Sequence, residues 1–273
     1  MNLVQATILG LVQGITEFLP ISSSGHLVLF PKLFGWGYQG LIFDVVLHLG
    51  TLFAVVVYFR KKIWNLLNSL RRKCWPDVCM DTEVIQNRGI FLAILLSIIP
   101  VGIIGLWLDD YIEINTRSVQ VIAFSLIFWG VMLGIANYIE KHIKIKKELK
   151  KINWKNALFI GFAQAIALIP GTSRSGITMT AGIFSKFSKK DAAEFSFLMS
   201  IPVIALAGFL KLSELYMVDS GGLDFGVYIA GFLSSMLSGF FAIWILLKVI
   251  ERWSFMPFVV YRIALGVIIL MYL

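Results

Sequence analysis

The sequence predicts an all-α polytopic membrane protein, with six transmembrane helices plus two re-entrant helix hairpins in an inverted-topology repeat. Three observations predict it. The 273 residues are 58% hydrophobic and only 15% charged, with a mean hydropathy of +0.84, too apolar for a soluble domain. The basic residues gather in a few connections, as a positive-inside topology requires. One polar, Pro-broken motif occurs twice, about 150 residues apart, inside apolar surroundings. A doubled broken element of this kind is how a membrane protein builds one polar site from two halves.

The first copy of the motif is GLVQGITEFLPISSSGH, from Gly10 to His26, and the second is GFAQAIALIPGTSRSGIT, from Gly161 to Thr178. Gly10 aligns with Gly161 and Gln13 with Gln164, then Pro20 with Pro170 after a one-residue slip. Both copies end in a hydroxyl-rich turn closed by Ser-Gly, at Ser24-Gly25 and Ser175-Gly176.

Six apolar segments are long enough to span: 41–59, 89–108, 118–139, 194–212, 225–247 and 255–273, a span needing about 20 residues. The 60–88 connection carries Arg60, Lys61, Lys62, Arg71, Arg72, Lys73 and Arg88, and the 140–156 connection is equally basic. Lys186, Lys189 and Lys190 form a third cluster, and Lys248 with Arg252 a fourth. These regions hold 19 of the 24 Lys and Arg, so the net charge of +8 is a topology signal rather than a nucleic-acid patch. The connections at 109–117 and 213–224 carry Asp109, Asp110, Glu113, Glu214, Asp219 and Asp224. The basic regions are therefore expected in the cytoplasm and the acidic ones outside. Cys74 and Cys79 share one basic loop, fit no zinc or disulfide pattern and receive no role. The N-terminus has no basic n-region, so no cleavable signal peptide is expected.

The second motif lies between two basic, hence cytoplasmic, connections. Its segment must enter the membrane and return on the same side, broken at Pro170 and Gly171. Such backbone is tolerated at depth only when buried in protein or lining a wet cavity. Three spans follow each motif, and three is odd, so the second half must be inverted and the two tips meet within the bilayer. The expected organisation is a single integral domain over 1–273. Repeat 1 covers about 1–140, with a re-entrant segment at 3–35 and spans 41–59, 89–108 and 118–139. Repeat 2 covers about 153–273, with a re-entrant segment at 156–185 and spans 194–212, 225–247 and 255–273. Asp44 and Glu194, opening the first span of each half, echo the repeat.

Within the motifs, an ionisable group at depth is functional by default because its burial is costly. Glu17 is such a group, with Gln13 four residues earlier on the same helix face. Ser22, Ser23 and Ser24 offer caps for the next helix or a hydroxyl nucleophile, with Glu17 or His26 as base. His26 follows the Ser-Gly turn and suits acid–base or nucleophilic work, or simple burial. Arg174 at the second tip must meet an anion, and its planar fork suits phosphate. A salt bridge to Glu17 is the plainer reading, and both readings place the two residues together. Thr172, Ser173, Ser175 and Thr178 surround Arg174 with neutral donors. Asp44 and His48, four apart on a predicted helix, could face the cavity; together with Glu194 and Arg262 near span ends, they are expected to support the site or the fold. An arginine, hydroxyls, a carboxylate and a histidine converging at mid-membrane favour a lipid-linked phosphate as ligand.

QGITEFLPISSSGH and PGTSRSGIT resemble the two signature motifs of the bacterial undecaprenyl-diphosphate phosphatases of the BacA/UppP family. AAEFSFLMSIP (Ala192 to Pro202) and SFMPFVVYRIALG (Ser254 to Gly266) resemble it too, and the similarity runs from about residue 3 to the C-terminus. The resemblance implies hydrolysis of undecaprenyl diphosphate to undecaprenyl phosphate and phosphate, recycling the carrier for peptidoglycan and conferring bacitracin resistance. It implies a multi-pass protein of the bacterial cytoplasmic membrane. Carried over, the family's acidic motif falls on Gln13 and Glu17; many relatives have Glu at the first position, so Gln13 argues against a strict two-carboxylate mechanism. The family's serine falls on Ser23, its histidine on His26 and its phosphate-clamping arginine on Arg174, with Ser173 and Thr178 nearby. A divalent cation, magnesium or calcium, is implied as cofactor, with Glu17 as its contact. The partners implied are a long-chain polyprenyl diphosphate and the membrane, with no nucleic acid; a homodimer is left open. The rival reading is a transporter or flippase of undecaprenyl phosphate or another anion, because broken helices meeting at the midplane also bind transported anions.

Overall fold

The computed structural model describes residues 1–71, 81–116, 118–216 and 225–272. Arg72, Lys73, Cys74, Cys79, Asp219 and Asp224 lie outside the described residues. Ten α-helices are present among the described residues, with one short 3-10 turn at Leu149–Lys151. They are α1 (Leu3–Phe18), α2 (Ser23–Leu33), α3 (Leu41–Arg71), α4 (Thr82–Thr116), α5 (Val119–His142), α6 (Trp154–Ile166), α7 (Arg174–Phe184), α8 (Lys189–Tyr216), α9 (Phe225–Arg252) and α10 (Met256–Tyr272).

The local sequence sets the boundaries of α1. Asn2 accepts from the backbone of Gln5 while Gln5 accepts from the backbone of Asn2, a reciprocal capping box. The helix stops at Phe18 because Pro20 disfavours helical geometry at Leu19, which is extended at φ −69°, ψ 142°. The second motif is also interrupted, between α6 and α7, but α6 ends earlier, at Ile166, and tight turns through Ile169 lead to Pro170. Each segment expected to span is a helix. Several outrun their apolar stretch: α3 continues through Arg60, Lys61 and Lys62 to Arg71.

Among the described residues five helices are long and apolar enough to cross a membrane: α3, α4 over Thr82–Leu108, α5, α8 over Lys189–Lys211, and α9. The sixth expected span, α10, is an apolar helix of 17 residues; at 1.5 Å per residue it rises about 26 Å. Large apolar side chains such as Phe124, Phe128, Phe159, Phe162 and Trp244 stand on the outer faces. The chain is thus a multi-pass helical membrane protein, with lipid as the solvent of those faces.

Packing is exchanged between the halves. α1 lies on α9 and α6 lies on α4, while α5 pairs with α10 and α3 touches α8 and α9. The aligned glycines make the first two contacts. A Cβ at Gly10 would come within 2.6 Å of the Gly231 carbonyl, and one at Gly161 within 2.5 Å of the Ser97 carbonyl. Only glycine allows backbones this close, the usual basis of helix association in lipid. Phe18 at the end of α1 meets Phe197 edge-on at 5.4 Å, inside the main apolar cluster.

The basic end of the bundle has its own ion pairs. Glu140 is buried and pairs with Lys146 at 2.6 Å and Lys189 at 3.8 Å, and Glu194 pairs with Lys62. Glu194 therefore belongs to this end and serves the fold, as expected.

Candidate active site

The two motif turns have the same geometry. Ser22 has φ 75°, ψ 94° and Ser173 has φ 70°, ψ 106°, a region that non-glycine residues occupy at a cost and mostly at functional sites. Each is the N-cap of the next helix. The Ser22 Oγ accepts from the Gly25 N–H at 3.4 Å, and the Ser173 Oγ accepts from the Gly176 N–H at 3.1 Å. Each hydroxyl lies 3.3 Å from that of the serine two residues on, Ser24 or Ser175. The first helical residue after the cap is Ser23 in one turn and Arg174 in the other.

Both of these residues converge on Glu17. The Ser23 hydroxyl donates to Glu17 Oε2 at 2.6 Å, and Arg174 Nη2 donates to Glu17 Oε1 at 2.6 Å. Gln13 Nε2 donates to Oε2 at 3.1 Å from one turn back on α1. His48 Nε2 stands 3.8 Å from the same oxygen; its Nδ1 bonds the Asp44 carbonyl at 2.7 Å, which turns the other ring nitrogen toward the carboxylate. Arg174 also donates from Nη1 to the Ser196 carbonyl on α8 at 3.2 Å. Glu17 is buried and Arg174 nearly so, so the pair sits in a low-dielectric setting where each makes the other's burial tolerable.

Glu17, Ser23, Ser24, His48, Ser173 and Arg174 line one cavity of about 380 Å³. Tyr38, Gln39, Asp44 and Lys211 continue its wall, together with apolar residues of α2, α3 and α8. This cavity lies toward the ends of α4 and α8 that lead into the acidic connections. A carboxylate bonded to a hydroxyl can take its proton, and a guanidinium beside it can hold a phosphoryl oxygen.

Several expected residues stand elsewhere. His26 is buried and absent from the cavity lining. Its Nδ1 bonds the Ser22 carbonyl at 2.7 Å, its Nε2 bonds the Tyr261 hydroxyl at 2.6 Å, and its ring stacks on Tyr261. Both nitrogens are thus engaged, and the structure does not bring His26 to Glu17. Ser22 is a cap. Thr172, Ser175 and Thr178 are buried behind the second turn. Ser175 donates to the Leu19 carbonyl at 3.0 Å, tying one turn to the other, and Thr178 bonds the Ser196 hydroxyl at 2.7 Å. These three shape the turn rather than line the cavity.

The sequence understated two residues. His48 joins the carboxylate cluster, which its spacing of four from Asp44 allowed but did not require. Arg262 is fully buried and donates to Pro20 of the first turn, to Gly171 and Thr172 of the second, and to Leu126 on α5. It holds both turns through their carbonyls. Lys211 was not singled out; a lysine next to an acidic connection, against the positive-inside trend, was the available signal.

The model of the bacitracin resistance protein BacA family matches residues 6–268. The chain belongs to that family. It is 45% identical over 273 residues to undecaprenyl-diphosphatase 1 of Pseudoalteromonas translucida, covering 100% of this chain and 99% of that protein. It is 46% identical over 274 residues to an undecaprenyl-diphosphatase of Hahella chejuensis, with 100% and 99% covered. Undecaprenyl-diphosphatase 2 of Stutzerimonas stutzeri is 43% identical over 271 residues, with 99% and 98% covered.

Proposed function

We propose that this BacA-family chain hydrolyses undecaprenyl diphosphate to undecaprenyl phosphate and phosphate, returning the lipid carrier to cell-wall synthesis and thereby conferring bacitracin resistance. The observation that carries the reading is Glu17, bonded at once to a hydroxyl from one turn and a guanidinium from the other, on the wall of a cavity in a membrane protein. Full-length relatives bearing the diphosphatase name support it.

In this mechanism Arg174 leaves part of its contact with Glu17 to hold the terminal phosphoryl oxygens and offset their charge as the bond breaks. Ser23 gives its proton to Glu17 and its oxygen forms a bond to the terminal phosphorus. The bridging P–O bond breaks, and undecaprenyl phosphate leaves with the electron pair. Glu17 releases its proton to solvent through the cavity, then accepts one from the water that attacks the phosphoserine. The bond between phosphorus and the Ser23 oxygen breaks, Glu17 returns the proton to that oxygen, and phosphate leaves with Ser23 restored. His48, beside the same oxygen, is placed to relay these protons.

The donor set fits a magnesium or calcium ion in one form only. Among the described residues no group of three His, Cys, Asp or Glu could hold a metal. Glu17 would be its protein contact, with Gln13 Oε1, buried and without a partner, as a further oxygen on the residue bonded to it. The diphosphate would supply most of the remaining ligands, a pattern usual for magnesium. Bound there, the ion would neutralise charge on the phosphates.

The same reading assigns the finer topology. α3, α4, α5, α8, α9 and α10 cross the bacterial cytoplasmic membrane, and α1–α2 and α6–α7 enter from opposite faces as re-entrant arms of an inverted repeat. Supporting this are the twin serine turns, the exchanged contacts of α1 and α6, and the segregation of basic from acidic connections. The cavity then opens on the outer side.

The test is phosphate release from a long-chain polyprenyl diphosphate by the purified protein in detergent with magnesium or calcium. Release is expected from the native chain and is expected to vanish with Arg174→Ala. A folded native protein that releases no phosphate overturns the reading and favours transport.

A further inference from the structure

His26 and Tyr261 form a pair that the hydrolysis steps leave unused. The His26 Nδ1 lies 2.7 Å from the Ser22 carbonyl, and its Nε2 lies 2.6 Å from the Tyr261 hydroxyl. A carbonyl only accepts, so Nδ1 carries a proton; in the neutral ring Nε2 then accepts from the Tyr261 hydroxyl. The two rings stack within 8° of parallel. Tyr261 is 42% exposed on α10, yet its hydroxyl bonds a buried partner. The Ser22 carbonyl also accepts the His26 backbone N–H, at 3.3 Å. That carbonyl and the Cα of Ser23 share one planar peptide unit, so an imidazole that fixes the oxygen also fixes where Ser23 starts. The second turn offers a comparison. There Ile177 stands in the place of His26, and its backbone N–H reaches the equivalent Ser173 carbonyl at 2.9 Å. The same turn geometry therefore forms without an imidazole. The imidazole belongs to the turn that brings a hydroxyl to Glu17, not to the one that brings a guanidinium.

We propose that Tyr261 is a positioning residue for the nucleophile: its hydroxyl sets the His26 ring, and the ring holds the Ser22 carbonyl so that Ser23 stays aimed at Glu17 and the phosphorus. This rests on the diphosphatase reading with Ser23 as the attacking group. Neither His26 nor Tyr261 lines the catalytic cavity, so both act through the backbone of the turn. Ser22 sits at φ 75°, a conformation that persists only when its surroundings fix it. Loss of the phenol hydroxyl frees the ring to turn about its bond to the side chain, and the hold on the Ser22 oxygen loosens. The phosphoryl group is held by Arg174 from the other turn, so substrate binding is spared while the attack geometry suffers.

Three single variants and one double variant test this in the full-length protein, by phosphate release from undecaprenyl diphosphate in detergent. Tyr261→Phe keeps the stacked ring and removes the hydroxyl. His26→Asn puts an amide N–H where Nδ1 stood and offers nothing at the place of Nε2, whereas His26→Leu removes both. Tyr261→Phe is expected to lower kcat by about 10–100-fold, the cost of a misplaced reacting group, with KM within about twofold of native and thermal unfolding within about 2 °C. His26→Asn is expected to keep at least about tenfold more activity than His26→Leu, because the bond to the Ser22 carbonyl survives. Tyr261→Phe added to His26→Asn is expected to cost nothing further, since the two act as one unit. A native kcat in Tyr261→Phe, or a loss that falls on KM instead, overturns the positioning role. So does a His26→Asn variant as inactive as His26→Leu, which would put the imidazole in the chemistry itself, or losses that add in the double variant. All of these outcomes leave the diphosphatase reading intact, whereas a folded native chain that releases no phosphate overturns both.

Discussion

Replacing Arg262 with methionine isolates the guanidinium that joins the two turns. The side chain is fully buried and donates to the carbonyls of Leu126, Pro20, Gly171 and Thr172 at 3.3, 3.1, 3.0 and 2.8 Å. No carboxylate pairs with it among the described residues, so carbonyl dipoles alone hold the charge. Methionine keeps a long unbranched shape but offers no donor. The three turn carbonyls of Pro20, Gly171 and Thr172 then lose this partner where water is scarce, while that of Leu126 keeps its helical bond, and each unsatisfied buried acceptor costs about 1–3 kcal/mol. Against this, removing a buried guanidinium relieves a desolvation penalty of several kcal/mol. The balance expected is a loss of about 3–5 kcal/mol, the usual cost of breaking one side of a buried polar network. At about 2–4 °C per kcal/mol for a chain of this size, thermal unfolding in detergent should fall by roughly 10 °C. Phosphate release below that temperature should fall as well, because Ser23 and Arg174 each begin the helix after a turn that Arg262 holds. Arg262→Lys, with three donors on one nitrogen, should recover only part of either loss. A methionine variant that melts within about 2 °C of the native protein and keeps its rate would show that the turns are held by other means, refuting the clamp.

Other perturbations separate the roles further. Ser23→Ala should lower kcat by about 10³-fold or more while leaving thermal unfolding nearly unchanged; a rate within tenfold of native would remove the serine as nucleophile and leave water as the attacking group. Glu17→Gln keeps the shape but not the base, and should reduce kcat by about 10²–10⁴-fold, measured as phosphate release at saturating substrate. Gly161→Ala puts a methyl 2.5 Å from the Ser97 carbonyl and should destabilise by about 1–3 kcal/mol; an unchanged melting temperature would argue that α6 does not rest on α4 in the membrane. Chelation should abolish phosphate release and added magnesium should restore it, whereas a rate indifferent to chelator would leave Glu17 acting as a base alone.

Much of this arrangement was legible before any coordinates, because lipid makes polar residues conspicuous. Glu17 and Arg174 stood out as ionisable groups in apolar segments, and the demand that each find a partner already placed them together. The helices followed from apolar length and charge. What sequence could not supply was direction within a turn. Ser22, Ser23 and Ser24 are chemically alike, yet the backbone of Ser22 makes it a cap and aims only Ser23 at the carboxylate. His26 lies on the same short element as Ser23, but it points to α10, where Tyr261 receives it. The contacts of Arg262 and His48 were hidden for a related reason. Their partners are carbonyls and a carboxylate from segments far away in the chain, and no local pattern announces such contacts.

The division of labour between the turns has a physical logic. A lone carboxylate at the depth of Glu17 would shed its charge, and a lone guanidinium at Arg174 would lack a counterion. Each turn thus presents a group that is tolerable only when the other turn is present. The equivalent position supplies a hydroxyl on one side and a cation on the other, and one carboxylate binds both. In the proposed mechanism the pair with Arg174 gives the buried Glu17 its counter-charge, and Glu17 accepts the serine proton. The same pair sets aside a phosphate-binding cation until an anion arrives to compete for it. In the proposed mechanism, a diphosphate that draws Arg174 toward its own oxygens takes the counter-charge from Glu17 as Ser23 gives up its proton. On that mechanism substrate binding and nucleophile activation are coupled through one ion pair, which neither turn could form alone.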